Sequence, residues 1–277
     1  MPTLADDKVW EQFLEWLPSA DPSPDPGHLF GQYRSRLMAL GLMAGEVDGY
    51  LAVVANNMRT RSDGWRVMFN NIYASGTAGF STAPNALLMA TVEERKPGRA
   101  LEVAMGEGRN TVFLALKGWD VTGFEISDEG VAIAQQNARA AGVNITALLE
   151  SNETFNFGQA QWDLIVATYA PFPLTSADYV QRLGRSLTPG GLVVVESFAS
   201  DANAPGRRPV DIDPTNLRRA FDAFRIRYFE DTVAIPDWTR EKTRLVRLVA
   251  EYRALGWKDL SCCARCTHPA GMTRPYG

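Results

Sequence analysis

The feature that most constrains this chain is a change of pattern near residue 98, where helical spacing gives way to short apolar runs. These runs are rich in β-branched residues and alternate with segments of helical periodicity. That alternation is typical of βαβ units and a parallel sheet. It predicts strands at 99–105, 119–125, 144–149, 162–168, 191–198, 224–231 and 243–251, and helices at 109–117, 128–141, 175–187 and 214–222.

The connection between the last two predicted strands is too short for a helical crossover, so these strands should pair antiparallel. The predicted fold class is therefore α/β: a doubly wound, mostly parallel seven-stranded sheet with an antiparallel last strand, in a Rossmann-like arrangement.

The N-terminal part of the chain has helical spacing instead. Trp10, Phe13, Leu14 and Leu17 share one helix face, and Phe30, Tyr33, Leu37 and Leu40 share the face of a second helix. Further helices are predicted over 44–59 and 64–73. We expect three segments. They are a helical N-terminal cap at 1–79, the α/β domain at 80–252 and a cysteine-containing tail at 253–277.

Composition excludes several classes of partner. The 277 residues include 28 Lys+Arg and 32 Asp+Glu, a formal net charge of −4. The sequence has no block of positive charge for nucleic acid, and no stretch approaches the roughly 20 apolar residues that span a bilayer. The acidic start lacks the charge pattern of a secretory signal. We expect a cytoplasmic protein that binds neither nucleic acid nor membrane; the oligomeric state is left open.

The cysteines, Cys262, Cys263 and Cys266, all lie in the tail, so no disulfide framework holds the fold. Together with His268 they are numerous enough for a tetrahedral zinc. Such a site would crowd four ligands into seven residues, from 262 to 268, whereas zinc modules spread their ligands over two loops. We therefore predict no metal site.

The most informative segment runs from Ala100 to Asn110, a buried strand that enters a glycine turn and then a helix. Such turns present backbone N–H groups to a ligand. Dinucleotide enzymes use one as well, but their G-x-G-x-x-G pattern fails here because Thr111 stands at the third position. Glu125 ends the next strand 17 residues after Gly108, near the distance at which a carboxylate meets ribose hydroxyls.

With these motifs the chain resembles the class I S-adenosylmethionine-dependent methyltransferases over roughly residues 80–252. Glu102–Gly108 resembles their acidic glycine loop, and Val121–Glu125 their ribose-binding strand. Trp162–Tyr169 and Leu187–Val194 are similar to the fourth-strand and fifth-strand motifs. Smaller details, including Trp65, Tyr73 and Pro84-Asn85, resemble the small-molecule branch of tellurite-resistance-type and thiopurine-type enzymes.

The resemblance implies S-adenosylmethionine as the cofactor and assigns residues to it. Glu102 and the backbone of Gly106 and Gly108 would face the methionine part, Glu125 the ribose hydroxyls and Ile126 the adenine. The full predicted cofactor set is Glu102, Ala104, Gly106, Gly108, Asn110, Glu125, Ile126, Ser151, Asn152, Glu153 and Thr168.

Two positions depart from the family pattern. Ala104 replaces the first glycine, which is tolerable if its φ is negative. Ser151 or Asn152 stands where the family usually has an aspartate that contacts adenine, and either side chain can accept that hydrogen bond.

Two tyrosines are the candidate catalytic residues. Methyl transfer from a sulfonium mainly requires that a nucleophile be held in line with the methyl group, and a sulfonium is attracted to aromatic faces. Tyr169 follows the fourth strand, and Tyr73 would approach from the cap. For each of them, simple packing is the alternative.

The predicted function is methyl transfer from S-adenosylmethionine to an O, N or S nucleophile of a small molecule. Two alternatives remain open. One is a catalytically silent cofactor-binding or scaffold protein, and the other an NAD-dependent oxidoreductase, which shares the sheet and the ribose carboxylate.

Overall fold

The computed structural model describes residues 5–23, 26–76, 80–200, 211–237 and 242–253. The cysteine cluster and His268 lie outside these ranges. Within them, no group of His, Cys, Asp and Glu side chains is arranged to hold a metal ion. No helix in the same ranges combines the length and the apolar character that crossing a membrane requires.

The described residues form one seven-stranded sheet in the order β3-β2-β1-β4-β5-β7-β6. β7 runs antiparallel to β5 and β6, and the other neighbours are parallel. The predicted fold class is thus confirmed. The strands are β1 Arg99–Val103, β2 Asp120–Glu125, β3 Thr146–Leu149, β4 Trp162–Thr168, β5 Leu187–Phe198, β6 Arg225–Ala234 and β7 Thr243–Glu251.

The helices follow the predicted pattern with one addition. In the described residues they are α1 Asp6–Trp16, α2 Pro26–Ala39, α3 Ala44–Thr60, α4 Asp63–Ala74, α5 Ala86–Val92, α6 Arg109–Leu116, α7 Asp128–Ala140, α8 Ala177–Ser186 and α9 Pro214–Ala220. α5 was not predicted, because seven residues are too few to show a helical period. Its first turn is stabilised by the Asn85 side chain, which accepts a hydrogen bond from the Leu88 N–H at 3.0 Å.

Both faces of the sheet are covered, as a doubly wound fold requires. α5 and α6 bury Leu88, Val92 and Leu114 against one face. α8 and α9 bury Leu183 and Leu217 against the other.

The N-terminal helices pack on the carboxyl ends of the strands. Trp10, Phe13 and Tyr33 belong to a buried cluster that also contains Tyr169 and Phe198 of the sheet region. The helical region and the sheet therefore share one core. The division at 79/80 stays a prediction.

Polar contacts hold α4 against the first turn of α7. The Asn70 side chain accepts a hydrogen bond from the Ser127 hydroxyl at 2.5 Å and donates one to Asp128 at 2.7 Å. These contacts place α4 directly above the strand ends, where ligands of open α/β sheets bind.

Candidate active site

The glycine turn after β1 brings the backbone close to two neighbouring elements. Gly106 and Gly108 have φ angles of 54° and 77°. A Cβ at Gly106 would lie 2.7 Å from the Tyr73 hydroxyl oxygen, and one at Gly108 would lie 2.9 Å from the Ala134 Cβ. Both positions therefore require glycine. The turn leads directly into α6, so the N–H groups of the turn lie at the start of a helix.

Ala104 has a φ of 51°, in the left-handed region. The condition under which an alanine would be tolerated without strain, a negative φ, is not met. The Cβ approaches the following carbonyl in this conformation, which is why the family pattern has glycine here. Ala104 also lines the cavity described below.

The Glu125 side chain connects the end of β2 to the glycine turn. Its carboxylate accepts backbone hydrogen bonds from Gly106, Ile126 and Ser127, each at 3.0 Å. Burial raises the pKa of Glu125, and the three N–H donors oppose that shift. A carboxylate has about four acceptor positions, so it retains capacity for a ligand hydroxyl.

Glu102 is buried beneath the turn. It accepts hydrogen bonds from the Asn110 amide at 2.8 Å and from the Thr111 hydroxyl. Burial raises the pKa of Glu102 to about 7, although these donors and Arg109 lower it. Asn110 also donates to the Thr168 hydroxyl at 3.2 Å, and this contact joins α6 to the end of β4.

Sequence reasoning missed two residues that complete this network. The Asn85 N–H donates to the Asn110 side-chain oxygen at 2.8 Å, and the Asn85 amide donates to Asp237 at 2.7 Å. Asp237 also lies 3.6 Å from the Arg109 guanidinium. In the sequence, Asn85 stood out only as part of the Pro84-Asn85 detail that resembles the small-molecule branch, and nothing around Asp237 pointed to the site.

The predicted site residues after β3 differ in whether they line the cavity. Asn152 and Glu153 line the cavity. Ser151 is not among the lining residues, and its hydroxyl accepts backbone hydrogen bonds from Glu153 and Thr154 within its own turn. The adenine-binding roles of all three stay predictions, and the geometry favours Asn152 over Ser151.

Tyr169 lines the cavity at the end of β4, with a φ of 55°. Its hydroxyl donates to the buried Glu196 carboxylate, which also accepts a hydrogen bond from Arg247 at 2.7 Å. Burial and the Glu196 charge raise the pKa of Tyr169 far above its usual range. The ring therefore faces the cavity while the hydroxyl is engaged behind it, and this tyrosine cannot serve as a base.

Tyr73 covers the glycine turn from the cap side. Its ring stacks on Phe69 with centroids 5.9 Å apart, and Phe69 stacks on Trp65 at 6.0 Å. Burial raises the pKa of the Tyr73 phenol well above its usual value, and the nearby charges of Glu125, Glu107 and Glu102 raise it further. Tyr73 is therefore a hydrogen-bond donor at neutral pH.

A cavity of about 450 Å³ brings these elements together. One wall is formed by the glycine turn and the ends of β1, β2 and β4, and the other by the end of α3 and by α4. Of the predicted site residues, all except Ser151 line it. The missed lining residues of the cap are Met58, Arg59, Thr60, Arg61, Ser62, Trp65 and Phe69, and those just after it are Phe80, Ser81 and Thr82. The aromatic spacing 65, 69, 73 was the signal that could have found part of this wall.

The cavity fits the predicted cofactor. Its volume lies in the range of small-molecule sites. Gly106 and Gly108 line the cavity with the backbone of the turn, and Glu102, Glu107 and Glu125 surround the same end with carboxylates suited to a cationic ligand. Strand order, glycine turn and strand-end carboxylate together define the class I S-adenosylmethionine-dependent methyltransferase fold.

Comparison with known proteins gives the same class. Residues 100–191 match the model of the family described as methyltransferase domain. The chain therefore contains a class I S-adenosylmethionine-dependent methyltransferase domain, and S-adenosylmethionine is the cofactor of this class. The chain is 31% identical over 72 residues to the probable S-adenosyl-L-methionine-dependent methyltransferase TehB of Haemophilus influenzae. That match covers 26% of this chain and 25% of TehB.

Solved structures agree at the level of the fold. The crystal structure of TehB from Haemophilus influenzae superposes with a TM-score of 0.51 at 16% identity, covering 60% of this chain and 61% of TehB. A structure from work on the conversion of a disulfide bond into a thioacetal group during echinomycin biosynthesis superposes with a TM-score of 0.54 at 16% identity. That superposition covers 68% of this chain and 93% of the other. The sequence match spans a quarter of TehB, so the likeness leaves substrates and partners open.

Proposed function

We propose that this protein transfers the methyl group of S-adenosylmethionine to an O, N or S nucleophile of a small molecule. The observation that carries the proposal is the single cavity shared by the glycine turn, the Glu125 carboxylate and the aromatic face of α4. A cofactor held by the turn would have its reactive end inside the same cavity as an acceptor held by the cap.

Residues from three strand ends would hold the cofactor. The backbone at Gly106 and Gly108 and the Glu102 carboxylate would bind the methionine part, Glu125 the ribose hydroxyls, and Ile126 with Asn152 the adenine. When bound, the cofactor supplies an activated methyl group on a sulfonium.

The chain's own contribution is positioning and exclusion of water. Among the lining residues that the structure describes, none is His, Lys or Cys, and both tyrosines have raised pKa values. The carboxylates in the lining lie at the glycine-turn end and after β3, where the cofactor is assigned, so the cap wall contributes no base. This supports acceptors that react without general-base catalysis, such as a thiolate, an amine or an oxygen that is already ionised.

We also propose that the acceptor is neither a nucleic acid nor a membrane lipid, and that the protein acts in the cytoplasm. The net charge of −4 supports the exclusion of nucleic acid. Titration with short DNA and RNA duplexes at low salt tests it, since a binding protein would show a salt-dependent affinity.

Calorimetric titration with S-adenosylmethionine, S-adenosylhomocysteine and NAD tests the cofactor. We expect micromolar binding of the first two and none of NAD. NAD binding alone would favour the oxidoreductase alternative. Cofactor binding without release of S-adenosylhomocysteine in the presence of any member of an acceptor panel would favour the silent binding protein.

Glu125→Ala tests the site at one residue. The loss of hydrogen bonds to a charged group should weaken cofactor binding by about 1.5–3 kcal/mol. Glu129→Ala is the control, because Glu129 lies in the first turn of α7 and is exposed. An unchanged dissociation constant in folded Glu125→Ala would refute the ribose assignment.

A further inference from the structure

The cap side of the cavity has a row of aromatic rings, and most of them have no role in the proposed binding of the cofactor. Trp65, Phe69 and Tyr73 are spaced by four residues on α4 and stack in series. Phe80 meets Tyr73 edge-on, with centroids 5.9 Å apart. Trp65 lies about 12 Å along the helix from Tyr73, so the row extends away from the glycine turn into the acceptor end of the cavity.

The indole of Trp65 is fixed in place. Its N–H donates to the Met58 carbonyl oxygen at 2.5 Å, and the side chain is buried. The ring therefore offers an apolar surface rather than a donor. Preformed aromatic walls of this kind favour planar, aromatic ligands that stack on them.

The charged residues that line the cavity differ between its two ends. Carboxylates of Glu102, Glu107 and Glu125 surround the glycine-turn end, where a cationic cofactor is expected. Arg109 also lines this end, but its guanidinium lies 3.6 Å from Asp237 and donates to the Ala83 carbonyl oxygen at 2.8 Å. The acceptor end has arginines instead, contributed by the end of α3 and the following turn. A ligand at the acceptor end thus meets positive charge.

Only one of these arginines has its charge available among the described residues. Arg61 is paired with both carboxylate oxygens of Asp63, at 2.7 and 3.3 Å, and lies over the Trp10 ring. Arg59 has no carboxylate within ion-pair distance in the part of the chain that the structure describes, and its side chain is exposed at the cavity. Its place in the last turn of α3 suits the helix dipole, but that interaction leaves the guanidinium donors open.

We propose that the acceptor is an aromatic small molecule that carries an anionic group, with its ring against Trp65 and Phe69 and the anion bound by Arg59. This proposal rests on the proposed function, because the same cavity must hold the cofactor. A guanidinium presents a planar pair of donors that matches a carboxylate. The nucleophile would then lie on the side of the ring that faces the glycine turn.

Binding to the product-saturated protein tests the proposal without turnover. The protein is first titrated with S-adenosylhomocysteine; a failure to bind at this stage would contradict the proposed function itself. The saturated protein is then titrated with aromatic carboxylates of one to three rings, each beside its neutral amide. We expect at least one carboxylate to bind about tenfold or more tighter than its amide, the effect of a charge-assisted pair.

Two variants locate the anion site. Arg59→Gln should abolish the preference for the carboxylate while leaving S-adenosylhomocysteine affinity unchanged, and it should lower thermal stability only slightly, through the lost interaction with the helix dipole. Arg66→Gln is the matched control: Arg66 is an exposed arginine on α4 whose guanidinium lies 3.5 Å from Asp128, outside the cavity lining. A panel without any carboxylate preference, or a preference that survives in Arg59→Gln, would overturn the proposal while leaving the cofactor assignment intact.

Discussion

Two residues of the cavity wall, Ala104 and Tyr169, hold left-handed backbone conformations with φ angles of 51° and 55°. Each costs about 1–2 kcal/mol relative to an ordinary conformation. They lie at the ends of adjacent strands, β1 and β4, where the cavity begins. The protein thus loses stability at the positions where the backbone turns away from the sheet to form the binding site.

Ala104→Gly should relieve one of these strains. We expect the free energy of unfolding to rise by about 0.5–1 kcal/mol, because glycine adopts a positive φ without steric cost. Ala100→Gly is the control: Ala100 is buried in β1 and has no positive φ, so this change should lower stability by about 1 kcal/mol. Urea unfolding measures both, and a loss of stability in Ala104→Gly like that in the control would refute the strain.

Glu102 should make stability depend on pH. Its pKa of about 7 in the folded protein lies above the value of about 4.3 in an unfolded chain. Between these values the folded state binds the extra proton, so the contribution of Glu102 to stability is complete below about pH 4 and is lost as the pH rises through about 7. The loss is on the order of 3–4 kcal/mol.

Urea unfolding of the wild type and Glu102→Gln at several pH values from 5 to 8 tests this. The difference in unfolding free energy between the two proteins should change with pH in favour of the variant, since glutamine does not titrate. A pH-independent difference would show that Glu102 titrates alike in both states.

At the scale of single residues, the sequence predicted those site residues that belong to short local motifs. Glu102, Gly106 and Glu125 stood out because the turn and the strand end have recognisable spacing. The pairs Asn85–Asp237 and Glu196–Arg247 are separated by 152 and 51 residues. Their partners meet only through the strand order, which no local pattern encodes.

Among the elements, α5 was the one that periodicity missed, and its cap connects stability with the site. Asn85→Ala should lower the free energy of unfolding by about 1 kcal/mol through loss of the cap. It should also weaken S-adenosylhomocysteine binding severalfold, because the Asn85 amide holds the Asp237 segment. Loss of the cap should also displace the Asn85 backbone N–H that positions Asn110.

Asp213→Ala provides the comparison, since Asp213 caps α9 by accepting from the Asn216 N–H at 2.8 Å, on the opposite face of the sheet. It should cost a similar amount of stability and leave the dissociation constant unchanged. Equal effects of the two variants on binding would argue that Asn85 acts only as a cap.

The longer elements were predictable because burial dictates their pattern. β4 and β7 have their predicted bounds, and β5 begins at Leu187 rather than at 191. The Thr188-Pro189-Gly190-Gly191 segment has the composition of a turn, yet it continues the strand across an irregular register against β4. There the Thr188 hydroxyl donates to Asp163 at 2.7 Å, a tertiary contact that overrides local propensity.

At the scale of the whole molecule, the helical cap and the sheet form one binding unit. The cap core includes Tyr169, Phe198 and Leu245, and α4 is hydrogen-bonded to the first turn of α7. A ligand in the cavity contacts both parts, so its binding energy should stabilise both against local opening.

Hydrogen exchange in the presence of S-adenosylhomocysteine tests this coupling. At about 100 times the dissociation constant, binding adds about 2.7 kcal/mol against any opening that releases the ligand. Exchange should slow by up to about a hundredfold in two segments that are far apart in sequence, 58–73 of the cap and 103–110 of the glycine turn. α9, which lines no part of the cavity, serves as the internal control and should change little. Protection confined to 103–110 would mean that the cap opens independently of the cofactor site. The aromatic rings on α4 would then contact the acceptor and contribute nothing to cofactor binding.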